Sequence, residues 1–346
     1  MALTRARMWS SPPVRLRSSR VPGRKESKQM ARYALGRVGQ ALIVIWLAYT
    51  VVFLSVQLLP SDPVTIFLSA DAAPDPAVVA AMQAQYGYDQ PLIVQYLGQL
   101  AGLFVGDFGY ALSAGQTVVE RIGGVIGSTL ELAGWAFVFA VVLSFVLVSV
   151  ASLVKVRWVR AVLEALPPLF SSVPVFWVGL IALQVLSFQL GVMSIFPDGS
   201  FLSLTVPVVL LGAYVSAPIA QVLFKAIEQT YAQPFVDVLR AKGASETRIF
   251  FAHILKNSVA PAFTVMAMAV GALLAGSVIT ETVFSRSGLG QIVLQGVTAQ
   301  DIPLVQGLVL ITATAFVVFN LIVDLLHPLL DPRVLKAHPA AAGRTR

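Results

Sequence analysis

FVDVLRAKGASETRIFFAHILKNSVAP, residues Phe235 to Pro261, is a polar, charged run of helix-forming residues set between two stretches of membrane-crossing length. The flanking stretches, Phe201 to Phe224 and Ser258 to Thr280, contain no Asp, Glu, Lys or Arg. Pro234 suits the first turn of a helix, Phe235 to Lys242 can form about two turns, and Gly243 can take the left-handed conformation that ends it. Ser245 then suits an N-cap, with Glu246 favourably placed at the next helix N-terminus. The pattern predicts helix, glycine elbow, helix.

Working outward, the composition demands a membrane. The chain is 57% hydrophobic and only 12% charged, with a mean hydropathy of +0.81, against about 45–50% and about 25% for soluble domains. A helix needs about 20 apolar residues to cross the hydrocarbon core, because unpaired backbone groups are not tolerated in lipid. Val38 to Leu59 and Ile302 to Val323 are two further uncharged runs, and Gly127 to Val154 and Ala161 to Ser187 qualify with one carboxylate each, Glu131 and Glu164. The expected fold is an all-α integral membrane protein with six transmembrane helices, at about 38–59, 127–154, 161–187, 201–224, 258–280 and 302–323.

Charge placement orients it. Of the 24 Lys and Arg, all but Arg121 and Arg286 fall in residues 1–37, 155–160, 225–256 or from Arg333 onward. All four stretches fall on one side of a six-span chain, so the positive-inside rule makes both termini and the 234–257 loop cytoplasmic. The opposite side receives Pro60 to Gly124, acidic and with apolar residues at helical spacing such as Leu92, Tyr96, Leu97 and Leu100, which predicts a small helical extracytoplasmic segment. Residues 1–32 read as a disordered basic arm, rich in Arg, Ser and Pro, and residues 336–346 as a cytoplasmic tail. Val38 to Leu59 is too long for a signal-peptide core and lacks a small-x-small cleavage pattern at its exit, so it reads as an uncleaved span.

The basic residues sit beside membrane spans without interleaved aromatics, which points to anionic lipid headgroups and away from nucleic acid. The chain has no cysteine, hence no disulfide and no thiolate metal site. None of its lysines follows a glycine, so the phosphate-cradling P-loop is absent. His253, His327 and His338 lack metal-ligand spacing, and the triplet Asp107-Phe108-Gly109 has no accompanying kinase elements. Glu131, Glu281 and Asp324 lie near span ends, too shallow for a midplane proton relay, and Glu131 and Glu281 are expected to make structural hydrogen bonds. On these residues alone the loop has two readings, a helix docked in a groove of a soluble partner or an interfacial helix resting on lipid through Arg240, Lys242, Arg248 and Lys256.

Arg240, Ala241, Lys242, Gly243, Ala244 and Ser245, followed by Asn257 and Pro261, resemble the EAA motif of bacterial ABC importer permeases in the form typical of the dipeptide/oligopeptide/nickel group. Leu59, Pro60, Asp62 and Pro63 resemble that group's LPGDP, and Tyr86, Gly87, Asp89 to Leu92, Gln95 and Tyr96 its LGLDxPLxxQY. Gly106 to Gly109 are similar to its GDLG, Thr129 to Leu132 to its TLEL, and Ser172, Pro174, Phe176, Trp177 and Gly179 to its SxPxFWxG. Glu281 to Phe284 with Gly288 to Gly290 match its ETVF and GLG. Ser61, Tyr88, Ala111 and Gly127 depart from the pattern. The resemblance covers about residues 33–335, and the shared order of motifs carries it.

The resemblance implies a non-catalytic permease subunit of a binding-protein-dependent importer for peptides or similar small solutes in the bacterial plasma membrane. It would pair with a second homologous permease subunit, two cytoplasmic ATPase subunits that bind the ATP, and an extracytoplasmic solute-binding protein, with no cofactor in this chain. The ATPase-coupling loop would be Phe235, Val236, Asp237, Val238, Leu239, Arg240, Ala241, Lys242, Gly243, Ala244 and Ser245. A stand-alone secondary carrier and a non-transporting scaffold are the alternatives.

Overall fold

A computed structural model describes residues 24–69, 75–194, 196 and 198–330. Helix α1 (Arg24–Gln57) leads into a cap of short helices: α2 (Pro63–Leu68), α3 (Pro76–Tyr86) and α4 (Leu92–Val105). Proline at the first helical positions and an aspartate N-cap start α2 and α3, the Asp62 carboxylate accepting from the amides of Val64 and Thr65 and that of Asp75 from Ala77. Strands β1 (Tyr110–Ala111) and β2 (Gln116–Thr117) pair antiparallel, and α5 (Val118–Gly123) opens with a reciprocal capping box between Thr117 and Glu120. The segment expected to be helical therefore also holds a two-stranded ribbon, turned at Gly115 with φ +63°.

The bundle follows: α6 (Ile126–Leu153), α7 (Arg157–Ser172), α8 (Val175–Leu183) with a π-helical turn Gln184–Gln189, and α9 (Phe201–Tyr231). Next come α10 (Pro234–Ala241), α11 (Glu246–Ile249), a π turn Phe250–Ile254, α12 (Leu255–Val283), α13 (Leu289–Thr298) and α14 (Ile302–Leu330). Among the described residues five helices are long and apolar enough to cross a membrane, or six when α7 and α8, bent by 94°, count as one broken span.

The span expected at 161–187, interrupted by its prolines, is bent between two helices, and the break falls at Pro174. Pro174 supplies no N–H and disfavours helical geometry at Val173, which sits extended at ψ 130°. The fifth span is longer than 258–280, because the π turn lets the helix run unbroken from Glu246. The arm expected to be disordered over 1–32 is helical from Arg24; residues 1–23 and the tail 336–346 lie outside the described residues.

The core is the packing of α6, α9 and α12, with α7 along α9 and α1 paired to α14. Leu132, Ala136 and Ala140 of α6 meet Leu211, Val215 and Ile219 of α9 and Ala262, Met266 and Leu273 of α12. Small residues set the spacing: a Cβ at Gly212 would lie 2.7 Å from the Phe139 ring and 2.8 Å from the Ala136 carbonyl oxygen. The Ser144 hydroxyl, bonded within α6 to the Ala140 carbonyl at 2.7 Å, also reaches the Ser216 carbonyl of α9 at 3.0 Å.

At the lateral pair, Arg37 and Asp324 meet at 3.1 Å, and the Tyr33 hydroxyl donates to the Asp324 carbonyl at 3.2 Å. The start of α1 and the end of α14 thus share one face of the bundle. Counting crossings back from α14 puts α10–α11 on that same face and the cap on the other.

Candidate functional site

The loop between α9 and α12 has the expected architecture. Gln233 is extended and Pro234 opens α10, whose end is a Schellman closure: the Gly243 amide donates to the Arg240 carbonyl at 2.9 Å and the Ala244 amide to the Leu239 carbonyl at 3.1 Å. Gly243 stands at φ +80° with nothing within 4 Å of a built Cβ, so its constraint is backbone conformation alone. Ser245 then N-caps α11, its hydroxyl accepting from the Arg248 amide at 3.4 Å.

Arg240 straps the elbow. Its Nε donates to Glu246 Oε1 at 2.7 Å and Nη2 to Oε2 at 3.3 Å, while Nη1 approaches Asp237 at 3.5 Å.

Burial divides the eleven loop residues. Val236 is fully buried, and Leu239 and Ala244 pack partly buried against the same cluster as Ile249, Phe250 and Ile254, the cluster that fills the bundle. Phe235, Asp237, Val238, Arg240, Ala241, Lys242, Gly243 and Ser245 face outward. Phe235 and Val238, three apart on one helix face, leave an apolar pair in the open at 37% and 53% exposure. Val236, expected within the docking helix, is its inner anchor. At the loop's base Thr230 and Ser258 join α9 to α12 through their hydroxyls at 2.8 Å.

At the cap end the shallow carboxylates are structural in their contacts. Glu281 is fully buried and accepts from the Gly290 amide at 2.9 Å, and Glu131 pairs with Arg286 at 3.3 Å. Arg286 also reaches the Ser128 hydroxyl and the Ser203 carbonyl, each at 3.4 Å. Sequence reasoning placed Arg286 only as an exception to a charge count and left Asp301 unread. Asp301 caps α14 from a buried position, and the signal was there to use: Asp301-Ile302-Pro303 is an N-cap followed by a proline in the first turn. Tyr88, where the motif has Leu, has its phenol pushed up by burial and then by the carboxylates of Asp301 and Asp62.

A membrane bundle with two capped faces and a rigid glycine-elbow loop defines the class of polytopic transport subunits driven by a partner. The chain belongs to the family of binding-protein-dependent transport system inner membrane components, whose model matches residues 140–336; the N-terminal companion model of that family matches residues 30–121. It is 31% identical over 305 residues, 88% of this chain and 99% of the relative, to a glutathione transport system permease protein GsiC of Salmonella choleraesuis. Identity to the protein of the same name in Escherichia coli K12 is 29% over the same coverage. A crystal structure of an amino acid ABC transporter with histidines aligns with a TM-score of 0.48 at 17% identity, covering 62% of this chain and 94% of the other. The protein is an ABC importer permease of the dipeptide/oligopeptide group, a multi-pass inner membrane component working with a binding protein and ATPase subunits.

Proposed function

We propose that this chain and a second homologous permease subunit together form the path by which a peptide or similar small solute, of the glutathione kind named in its relatives, passes from an external binding protein into the cytoplasm. ATP is bound and hydrolysed on two partner ATPase subunits, and this chain is non-catalytic. Both termini and α10–α11 are cytoplasmic, where the excess of Lys and Arg belongs, and the cap receives the binding protein.

The observation that carries this reading is the division of α10 into an inner and an outer face. Force applied at Phe235 and Val238 reaches the bundle through Val236 and Leu239, which pack in the same cluster as Leu223, Ile227, Phe250 and Ile254. The Schellman closure and the Arg240–Glu246 strap make the intervening elbow stiff, so a displaced α10 moves the ends of α9 and α12 with it.

The native chain lacks cysteine, which makes a single-site test clean. Val238→Cys, treated in native membranes with a short bifunctional thiol cross-linker, should yield an adduct with the ATPase subunit identified by mass spectrometry. If the thiol introduced there reacts only with lipid-phase reagents, in membranes where transport is intact, the coupling assignment is refuted.

A further inference from the structure

The segments on the cap face carry two cations, Arg121 and Arg286. Arg286 is held by Glu131, whereas Arg121 has no carboxylate partner among the described residues. Arg121 lies on α5 and reaches across to α13, its Nη2 donating to Gln295 Oε1 at 2.6 Å. Its Nε is buried and has no hydrogen-bond partner. Arg121 and Gln295 border a cavity of about 490 Å³, lined also by Ser285 and Ser287 of the connection between α12 and α13, by Gln291 of α13, and by the apolar Val125, Phe196 and Ile292. Ser285 is held at φ +52°, a conformation uncommon for a residue with a side chain.

A half-buried guanidinium bordering a cavity, set beside hydroxyl and amide groups and without a neutralising acid, is the donor set that recognises a carboxylate. Glu120, the adjacent acid, is committed to the capping box with Thr117 and does not serve as the missing partner.

We infer that this cavity is an entry subsite for the carboxylate of the transported solute, with Arg121 as its charge and Ser287 and Gln291 as additional donors. The inference rests on the import reading above and narrows it: the solute class is peptides or peptide-like molecules with a free carboxylate. Arg121 discriminates a free acid from its amide at the permease, in addition to any selection made by the binding protein.

Two measurements on the intact complex in nanodiscs or proteoliposomes decide this. In the first, Arg121 is modified with phenylglyoxal and quantified by peptide mass spectrometry. Alanyl-alanine at millimolar concentration should protect it several-fold, and alanyl-alanine amide should not; equal protection by both, or by neither, overturns the subsite. In the second, Arg121→Gln, which can still bond Gln295, should lower uptake of the free acid by about tenfold, the loss of one charge-assisted hydrogen bond. Uptake of the amide should fall clearly less than that of the acid, and Arg121→Lys should restore part of the difference. Equal loss for acid and amide would mean that Arg121 is only a bracket between α5 and α13. Should the glutamine variant fail to assemble, the protection assay on the wild-type complex still rules. A wild-type complex that takes up no peptide at all would refute the peptide reading of function, while protection of Arg121 by carboxylates would separately decide the cavity.

Discussion

Asp301 and Ser113, 188 residues apart, are joined twice: one carboxylate oxygen accepts from the Ser113 amide and from its hydroxyl, both at 2.7 Å. The other oxygen accepts from the Leu304 amide at 3.1 Å, capping α14. A single buried carboxylate thus fixes the ribbon turn of the cap to the head of the last span. Beside it, the Gly307 backbone lies so close to the Phe108 carbonyl that a Cβ would overlap it.

Asp301→Ala removes three charge-assisted acceptor bonds and leaves buried donors unpaired, so it is expected to cost at least about 3 kcal/mol. Asp301→Asn keeps one acceptor oxygen and should cost about half as much. Thermal unfolding of the detergent-solubilised chain measures both. Hydrogen exchange should show the loss first at Ser113 and Leu304; a uniform loss across the bundle would contradict the local role.

Gly288 and Gly290 exist to let the α12–α13 connection fold over Glu281. A Cβ on Gly288 would fall within the Glu281 carboxylate, and one on Gly290 would overlap the Val278 carbonyl. The carboxylate can swing aside but backbone cannot. Gly290→Ala is therefore expected to be the more damaging substitution, by about 1–3 kcal/mol of overpacking strain, and Glu281→Ala should partly rescue Gly288→Ala while leaving Gly290→Ala unchanged. Insertion level and thermal stability of the two double variants read this out.

The membrane class, the loop's two helices and the Gly243 elbow were legible because each has a local cause: unbroken apolar length, a proline start, a glycine stop, a serine cap. The structural hydrogen bonding of Glu131 and Glu281 was legible too, but their partners were not, since Arg286 is 155 residues from Glu131 and only packing brings them together. The same holds for Ser113 and Asp301. The bend between α7 and α8 was signalled by Pro174, yet the stretch 161–187 is apolar throughout its second half, and hydropathy is blind to direction. The ribbon Tyr110–Thr117 escaped because two-residue strands have no periodicity to detect. The inward turn of Val236 depends on how α10 lies against α9 and α12, which no helical period can supply.

Asp62 makes the cap's own stability pH-dependent. Burial pushes its carboxyl up, but the bonds from Thr65, Gln83 and Val64 outweigh that and hold it below its ordinary value. A depressed pKa means the ionised form is preferred in the folded cap, so the contribution is fully present above about 3.9 and is lost as pH falls through the lowered value. Amides of Val64 and Thr65 should keep their exchange protection at neutral and mildly acidic pH and lose it only below about pH 4. Asp62→Asn should show the acid behaviour at neutral pH, because an amide nitrogen at the Oδ2 position cannot accept the bonds from the Gln83 side chain at 2.9 Å and the Thr65 hydroxyl at 2.6 Å, and one at the Oδ1 position cannot accept from the two backbone amides.

At the elbow, conformation and strap can be separated. Gly243 has open space around it, so Gly243→Asn, tolerant of the left-handed region, should disturb the loop little, and Gly243→Val should cost about 1–2 kcal/mol locally. The strain falls on one exposed backbone position outside the long apolar helices, and membrane insertion of either variant should match the wild type. In a reconstituted complex, Gly243→Val is expected to leave ATP hydrolysis running while solute uptake falls several-fold, because α10 no longer points the way its roots require. Arg240→Gln breaks the strap without altering the backbone, and should give a smaller loss that raised salt does not deepen further, whereas the wild-type elbow should weaken modestly with salt. The ratio of solute imported to ATP hydrolysed is the quantity to follow: equal ratios in Gly243→Val, Gly243→Asn and the wild type would show that elbow geometry does not set coupling.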